Sequence, residues 1–143
     1  MILYLDTSSL VKLYRIEEGS DEVSRQVASA HVVSTSVVAF PEARSAFARL
    51  AREGVLTAED LISIREAFVR DWDTFLKVRA VKRLCERAGD LAEEFALRGF
   101  DALHLASYLE LVEQAEEESV KISTFDARLS AAALEATASS PSR

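Results

Sequence analysis

The stretch Ile2-Leu3-Tyr4-Leu5-Asp6-Thr7-Ser8-Ser9 decides how this chain is read. Its apolar run is too short for a helix and suits a strand buried on both faces. The Asp-Thr-Ser-Ser cluster behind it is made of helix-capping side chains, so strand passes directly into helix, expected over about residues 8–14. The alternation then repeats. Gly19-Ser20-Asp21 opens a helix to about residue 30, and His31-Val32-Val33-Ser34 reads as a second strand. A helix is expected over about 36–53, stopped by Gly54, with Pro41 forcing a kink or a late start. Thr57-Ala58-Glu59-Asp60 resembles a capping box with Asp in the Glu position. The helix behind it should run to about residue 76, with Leu61, Ile64, Phe68, Trp72 and Phe75 on one stripe. Residues 77–81 suit a short edge strand, and 82–97 a helix broken or bent near Gly89. A helix over about 101–116, a strand at 120–124 and a helix at 126–136 complete the order. Short apolar strands separated by helices predict a parallel sheet covered on both faces, hence one α/β domain over residues 1–136. The small, polar tail 137–143 is expected to fray.

Composition narrows the function classes. The chain has 143 residues, 49% hydrophobic and 29% charged, which suits one globular domain. Its single cysteine, Cys85, excludes an intrachain disulfide and a multi-thiolate zinc site, and points to a reducing compartment, the cytoplasm by default. No apolar run approaches the roughly 20 residues of a spanning helix, so no membrane partner is expected. The net charge of −7 argues against broad attraction to a phosphate backbone. Its distribution is uneven, because residues 44–98 carry eleven basic and ten acidic side chains. The run Glu110, Glu113, Glu116, Glu117 and Glu118 reads as a solvated helix end.

Four glycines make neither a dinucleotide-binding nor a P-loop motif, and two histidines, His31 and His104, are too few for a histidine-built zinc site. Acidic residues at marked places remain. Asp6 ends the first strand, Asp126 follows the last, and Glu42 lies on the helix after the second. A parallel sheet presents all its strands' carboxyl ends on one edge, where ligands bind, so chain order places these three there. Asp101 starts the apolar helix Ala102-Leu103-His104-Leu105-Ala106. Each acid has a plain alternative: Asp6 and Asp126 as helix caps, Glu42 as a solvent-facing acid, Asp101 as favourable charge at a helix start. His104, one turn after Asp101, reads as a core histidine or a hydrogen-bond partner. Ser8 and Thr124 read as caps that can also orient a carboxylate. Together, however, several carboxylates at one edge repel unless a cation or protons compensate. An all-oxygen cluster suits Mg²⁺ or Mn²⁺, which can activate water and neutralise a phosphoryl group.

At these residues the sequence resembles the PIN-domain ribonucleases, most closely the toxin subunits of bacterial and archaeal VapBC toxin–antitoxin pairs. Tyr4-Leu5-Asp6-Thr7-Ser8, Pro41-Glu42-Ala43-Arg44, Phe100-Asp101-Ala102-Leu103-His104-Leu105-Ala106 and Thr124-Phe125-Asp126 carry the likeness, in the family's order. It implies a three-layer α/β/α fold with a short central parallel sheet. It also implies a catalytic set of Asp6, Glu42, Asp101 and Asp126 supported by Ser8 and Thr124, with Mg²⁺ or Mn²⁺ held by Asp6, Asp101 and Asp126. The expected activity is metal-dependent endoribonucleolytic hydrolysis by the toxin of a type II pair. The expected partners are RNA, a cognate antitoxin and a second copy of the chain. Arg15, Arg44, Arg49 and Arg98, near the acidic motifs in sequence, are the candidates for RNA contact. A rival class is a domain of the same kind that only binds a partner. Another is an acidic-site phosphatase, which Asp6-Thr7-Ser8-Ser9 fits poorly for want of a nearby second acid. The helix over 57–76 carries Ile62, Val69 and Leu76 beside its stripe, more apolar surface than one face requires, and is expected to form the dimer or antitoxin interface.

Overall fold

The computed structural model describes residues 1–139. Strand β1 (Ile2–Leu5) leads into α1 (Thr7–Leu10) and a 3₁₀ turn (Val11–Leu13), then α2 (Ser20–Ser29) and β2 (Val32–Ser36). Helices α3 (Ala39–Arg52) and α4 (Ala58–Trp72) precede β3 (Leu76–Val78), and α5 (Lys82–Phe95) and α6 (Gly99–Gln114) precede β4 (Val120–Ser123). Helix α7 (Ala127–Ala138) ends the described chain. Among the described residues the strands form one parallel sheet of order β3-β2-β1-β4.

The two-residue period of β1 divides the core. Leu3 and Leu5 face Leu10, Val23, Ala39, Ala43, Phe47 and Phe68 on one side of the sheet. Tyr4 faces the other, among buried residues of α5, α6 and α7 such as Leu84, Leu105 and Leu129. This is the expected three-layer α/β/α arrangement. Helix α6 is buried without interruption from Ala102 to Leu109, because it lies between the sheet and α5 and α7.

Several local expectations shift. Helix α3 starts at Ala39, so Pro41 falls in its first turn, where a missing N–H breaks no helical bond; the first such bond runs from the Glu42 N–H to the Val38 carbonyl. Helix α4 has the capping box, with both reciprocal hydrogen bonds between Thr57 and Asp60, but it ends at Trp72, and Leu76 opens β3 instead. The sheet explains the early stop: β3 pairs with β2 from Ser34 opposite Leu76, and the Ser34 hydroxyl donates to the Leu76 carbonyl. Gly89 does not break α5, which runs unbroken from Lys82 to Phe95. Glu113, Glu116, Glu117 and Glu118 are solvent-exposed as expected, but Glu110 and Glu113 are not unpaired. They form two-pronged pairs with Arg83 and Arg87 of α5 (2.6–3.0 Å), which tie α5 to α6. Trp72 packs against Phe40, Phe68 and Phe75 as part of the core, while Ile62, Val69 and Leu76 are exposed. The expected frayed tail is helical through Ala138, and residues 140–143 lie outside the described residues. No helix among the described residues is long and apolar enough to cross a membrane.

Candidate active site

The chain reverses its direction across the sheet between β1 and β4: β2 and β3 were laid down on one side of β1, and β4 returns to the other. Such a switch point leaves a crevice at the carboxyl edge. Three hydroxyl bonds stitch that edge. Ser9 meets Ser123 at 2.9 Å, Thr35 donates to the Leu5 carbonyl at 2.7 Å, and Thr124 donates to Asp6 Oδ2 at 2.5 Å.

Asp6 is both a cap and a site residue. It is the N-cap of α1, accepting from the Ser9 N–H at 3.0 Å, and its Oδ1 also takes the Ser8 hydroxyl at 2.7 Å. Only 3% of it is exposed. Burial raises its carboxyl above the ordinary range, and the bonds from Thr124, Ser8 and Ser9 pull only part of the way back. Asp126 repeats the design at the end of β4, capping α7 through Oδ1 to the Leu129 N–H at 2.9 Å and leaving Oδ2 toward the crevice. Thr124 joins the two acids, since its hydroxyl donates to Asp6 and accepts the Asp126 N–H at 3.0 Å.

Glu42 reaches the same edge from α3 and is gripped by two side-chain donors. Thr7 donates to its Oε1 at 2.8 Å, and His104 Nε2 lies 2.9 Å from the same oxygen. A carboxylate can only accept there, so Nε2 carries the proton. Tyr4, fully buried, bonds His104 Nδ1 at 2.7 Å and fixes the ring. Partial burial pushes Glu42 up, but the bond and charge of His104, then Thr7, outweigh it and hold the carboxyl below the ordinary range. His104 is therefore the buried hydrogen-bond partner that sequence allowed. Tyr4 and Thr7 in these roles were missed. The available signal was a tyrosine hydroxyl carried into the core, which needs a partner.

Asp101, in the first turn of α6, is partly exposed and pairs with Arg98, the N-cap residue, at 3.2 Å. The same guanidinium lies 3.9 Å from Asp126 Oδ2, so one arginine spans both carboxylates. Asp101 also lines one cleft with Glu42 and a second with Asp126. Arg98 is the only one of the four arginine candidates seen touching the acids among the described residues. Arg15 pairs with Glu17 and shares a shallow hollow with Arg49, whose own partner is Glu53, and Arg44 lies over the Phe40 ring.

The donor set suits a hard divalent cation. It is carboxylate and hydroxyl oxygen throughout, and a cationic group already stands between Asp101 and Asp126. Among the described residues no three acid, histidine or cysteine side chains converge into a cage.

Comparison with known proteins gives a consistent answer. The PIN domain model matches residues 3–135. Two Mycobacterium tuberculosis proteins, named Ribonuclease VapC45 and Ribonuclease VapC49, are each 38% identical over 112 residues, 76% of this chain and 75% of theirs. Among solved structures, M. tuberculosis VapC20, described as a toxin cleaving the sarcin–ricin loop, matches with TM-score 0.63 at 20% identity, covering 91% of this chain and 94% of its own. VapBC2 of Rickettsia felis, solved on a fragment of its promoter DNA, matches with TM-score 0.55 at 13% identity over 88% of this chain and all of its own. With the family model spanning nearly the whole sequence, close relatives aligned over three quarters of it, and the sheet order and acid placement just described, this chain belongs to the PIN domain family.

Proposed function

We propose that this protein is an endoribonuclease that hydrolyses RNA phosphodiesters with Mg²⁺ or Mn²⁺, as the toxin of a type II toxin–antitoxin pair. The observation that carries the reading is the placement of Asp6, Glu42, Asp101 and Asp126 around one sheet-edge crevice in a chain 38% identical to two proteins named ribonucleases. Asp101 and Asp126 would hold the cation, with Asp6 behind Thr124 adding charge. When bound, the cation supplies Lewis acidity, neutralising phosphoryl charge and making a water easier to ionise. Glu42, kept ionised by His104 and Thr7 and lining the cleft shared with Asp101, orients the attacking water and accepts its proton. Arg98, 86% exposed at its side chain, leaves the two aspartates to meet the scissile phosphate.

The partners follow from the same reading. RNA is the substrate, and the antitoxin covers the crevice. The exposed Ile62, Val69 and Leu76 along α4 and the start of β3 form a homodimer contact, tested by sedimentation at tens of micromolar, where a clean monomer would remove it. Cytoplasm is the compartment assigned, from the single exposed thiol of Cys85. The decisive experiment is incubation of total RNA with the purified protein in Mg²⁺, in Mn²⁺ and in EDTA. Discrete cleavage with either metal and none in EDTA is expected. Intact RNA in all three arms overturns the nuclease reading in favour of a partner-binding domain.

A further inference from the structure

Two phenylalanines remain outside the core beside the acids. Phe100 is 59% exposed and Phe125 43% exposed. Each directly precedes a site aspartate, Asp101 and Asp126, so the chain carries two Phe-Asp pairs that the crevice brings together through Arg98. Phe100 borders a cleft of about 700 Å³ that Glu42 and Asp101 also line. The opposite wall is α5, where Gly89 has nothing within 4 Å of the position a Cβ would take, so the wall is flat and the cleft wide.

Phe125 is fixed to the other flank. Its N–H donates to Ser8 Oγ at 3.0 Å, and that hydroxyl donates to Asp6. Its ring edge lies where a Cβ on Gly19 would come within 2.7 Å, and Gly19 has φ +91°, so the position is reserved for glycine on two counts. The Lys12 ammonium stands 4.5 Å from the ring centroid. Each ring has a cationic group nearby: Phe100 lines the same cleft as Arg98, and Phe125 carries the Lys12 ammonium, itself paired with Glu17, over its face. That is the chemistry of a nucleotide, a flat base joined to a phosphate.

We propose that Phe100 and Phe125 are stacking surfaces for two unpaired bases of the RNA, one on each side of the phosphate that the acids act on. This rests on the ribonuclease reading and adds the residues that select the substrate. A base can lie on either ring only when it is unstacked from its neighbours, so duplex RNA is excluded by geometry.

The test uses Asp101→Asn protein and a short single-stranded oligoribonucleotide containing 2-aminopurine, whose fluorescence is quenched on stacking. Binding with quenching is expected. Phe100→Ala and Phe125→Ala, each added to Asp101→Asn, should lose quenching and weaken binding roughly 5- to 150-fold apiece. Phe100→Trp should restore both. The melting temperature of the Phe100→Ala protein should stay near that of the parent, since that ring is 59% exposed; Phe125→Ala, which also loses packing on Gly19 and Lys12, should fall more. Unchanged affinity and quenching in both alanine variants overturns the proposal and leaves the rings to a protein partner. A matching loss of melting temperature in both, with no recovery in Phe100→Trp, also overturns it. Wild-type cleavage of total RNA, run alongside, reports on the nuclease reading separately.

Discussion

The acidic crevice has two halves built on opposite terms. Asp6, buried, and Glu42, partly buried, are each held by several fixed hydrogen bonds: Thr124, Ser8 and the Ser9 N–H for one, Thr7 and the Tyr4–His104 relay for the other. Asp101 and Asp126, exposed to about the same degree as Glu42, are spanned instead by one exposed guanidinium, that of Arg98. Buried carboxylates held by several fixed bonds have one geometry and keep it without ligand. An exposed guanidinium contributes little to stability and leaves easily, so the outer half can exchange its cation. One half is fixed by several hydrogen bonds and the other by a single exposed arginine, the division that the proposed hydrolysis would use.

The largest expected effects separate the halves by activity and stability together. Asp6→Asn and Asp101→Asn should each lower RNA cleavage on the order of 10²–10³-fold. Only Asp6→Asn should also raise the melting temperature of the metal-free protein at neutral pH. Its folded carboxyl is raised above the ordinary 3.8, so ionised Asp6 costs stability above that folded value, and the gain should vanish as pH falls below 3.8. Equal melting temperatures for both variants at pH 7 would break the contrast.

Next in size is the relay. His104→Ala removes a side chain 1% exposed and leaves Tyr4 and Glu42 without their partner, for a loss on the order of 2–5 kcal/mol in chemical denaturation. A loss below about 0.5 kcal/mol would mean that the inner half is not held as described.

Acidification sharpens the comparison within the inner half. Glu42 is held below its ordinary 4.5, so its stabilising contribution is complete above that value and disappears as pH falls through the folded value. Glu42→Gln should therefore be less stable than wild type at pH 7, and the two should converge below pH 4.5, opposite in sign to Asp6→Asn. Parallel curves for the two variants would remove the distinction.

The smallest effect on the fold belongs to the outer half. Arg98→Ala should change stability by no more than about 0.5 kcal/mol, because its side chain is 86% exposed. It should instead weaken RNA binding and reduce the salt slope of binding by about 1. Loss of the fold on this substitution would make Arg98 structural.

Some of this was present in local sequence. The two-residue period of Ile2–Leu5 sends Leu3 and Leu5 to one side and Tyr4 to the other, and the caps at Asp6, Thr57 and Asp126 are local hydrogen-bond chemistry, readable from spacing alone. So is the order of strands and helices that puts Asp6, Glu42 and Asp126 at one edge. Elements whose limits are set from outside were misplaced. Leu76 leaves its helix because β2 offers a partner, and α5 continues through Gly89. Residues 6, 42, 101 and 126 lie far apart in the chain, and pattern can place their elements but not aim their side chains. The grip of His104 and Thr7 on Glu42, the Thr124 bridge and the reach of Arg98 to Asp126 were decided only by tertiary structure, because those bonds close over separations of 28 to 118 residues.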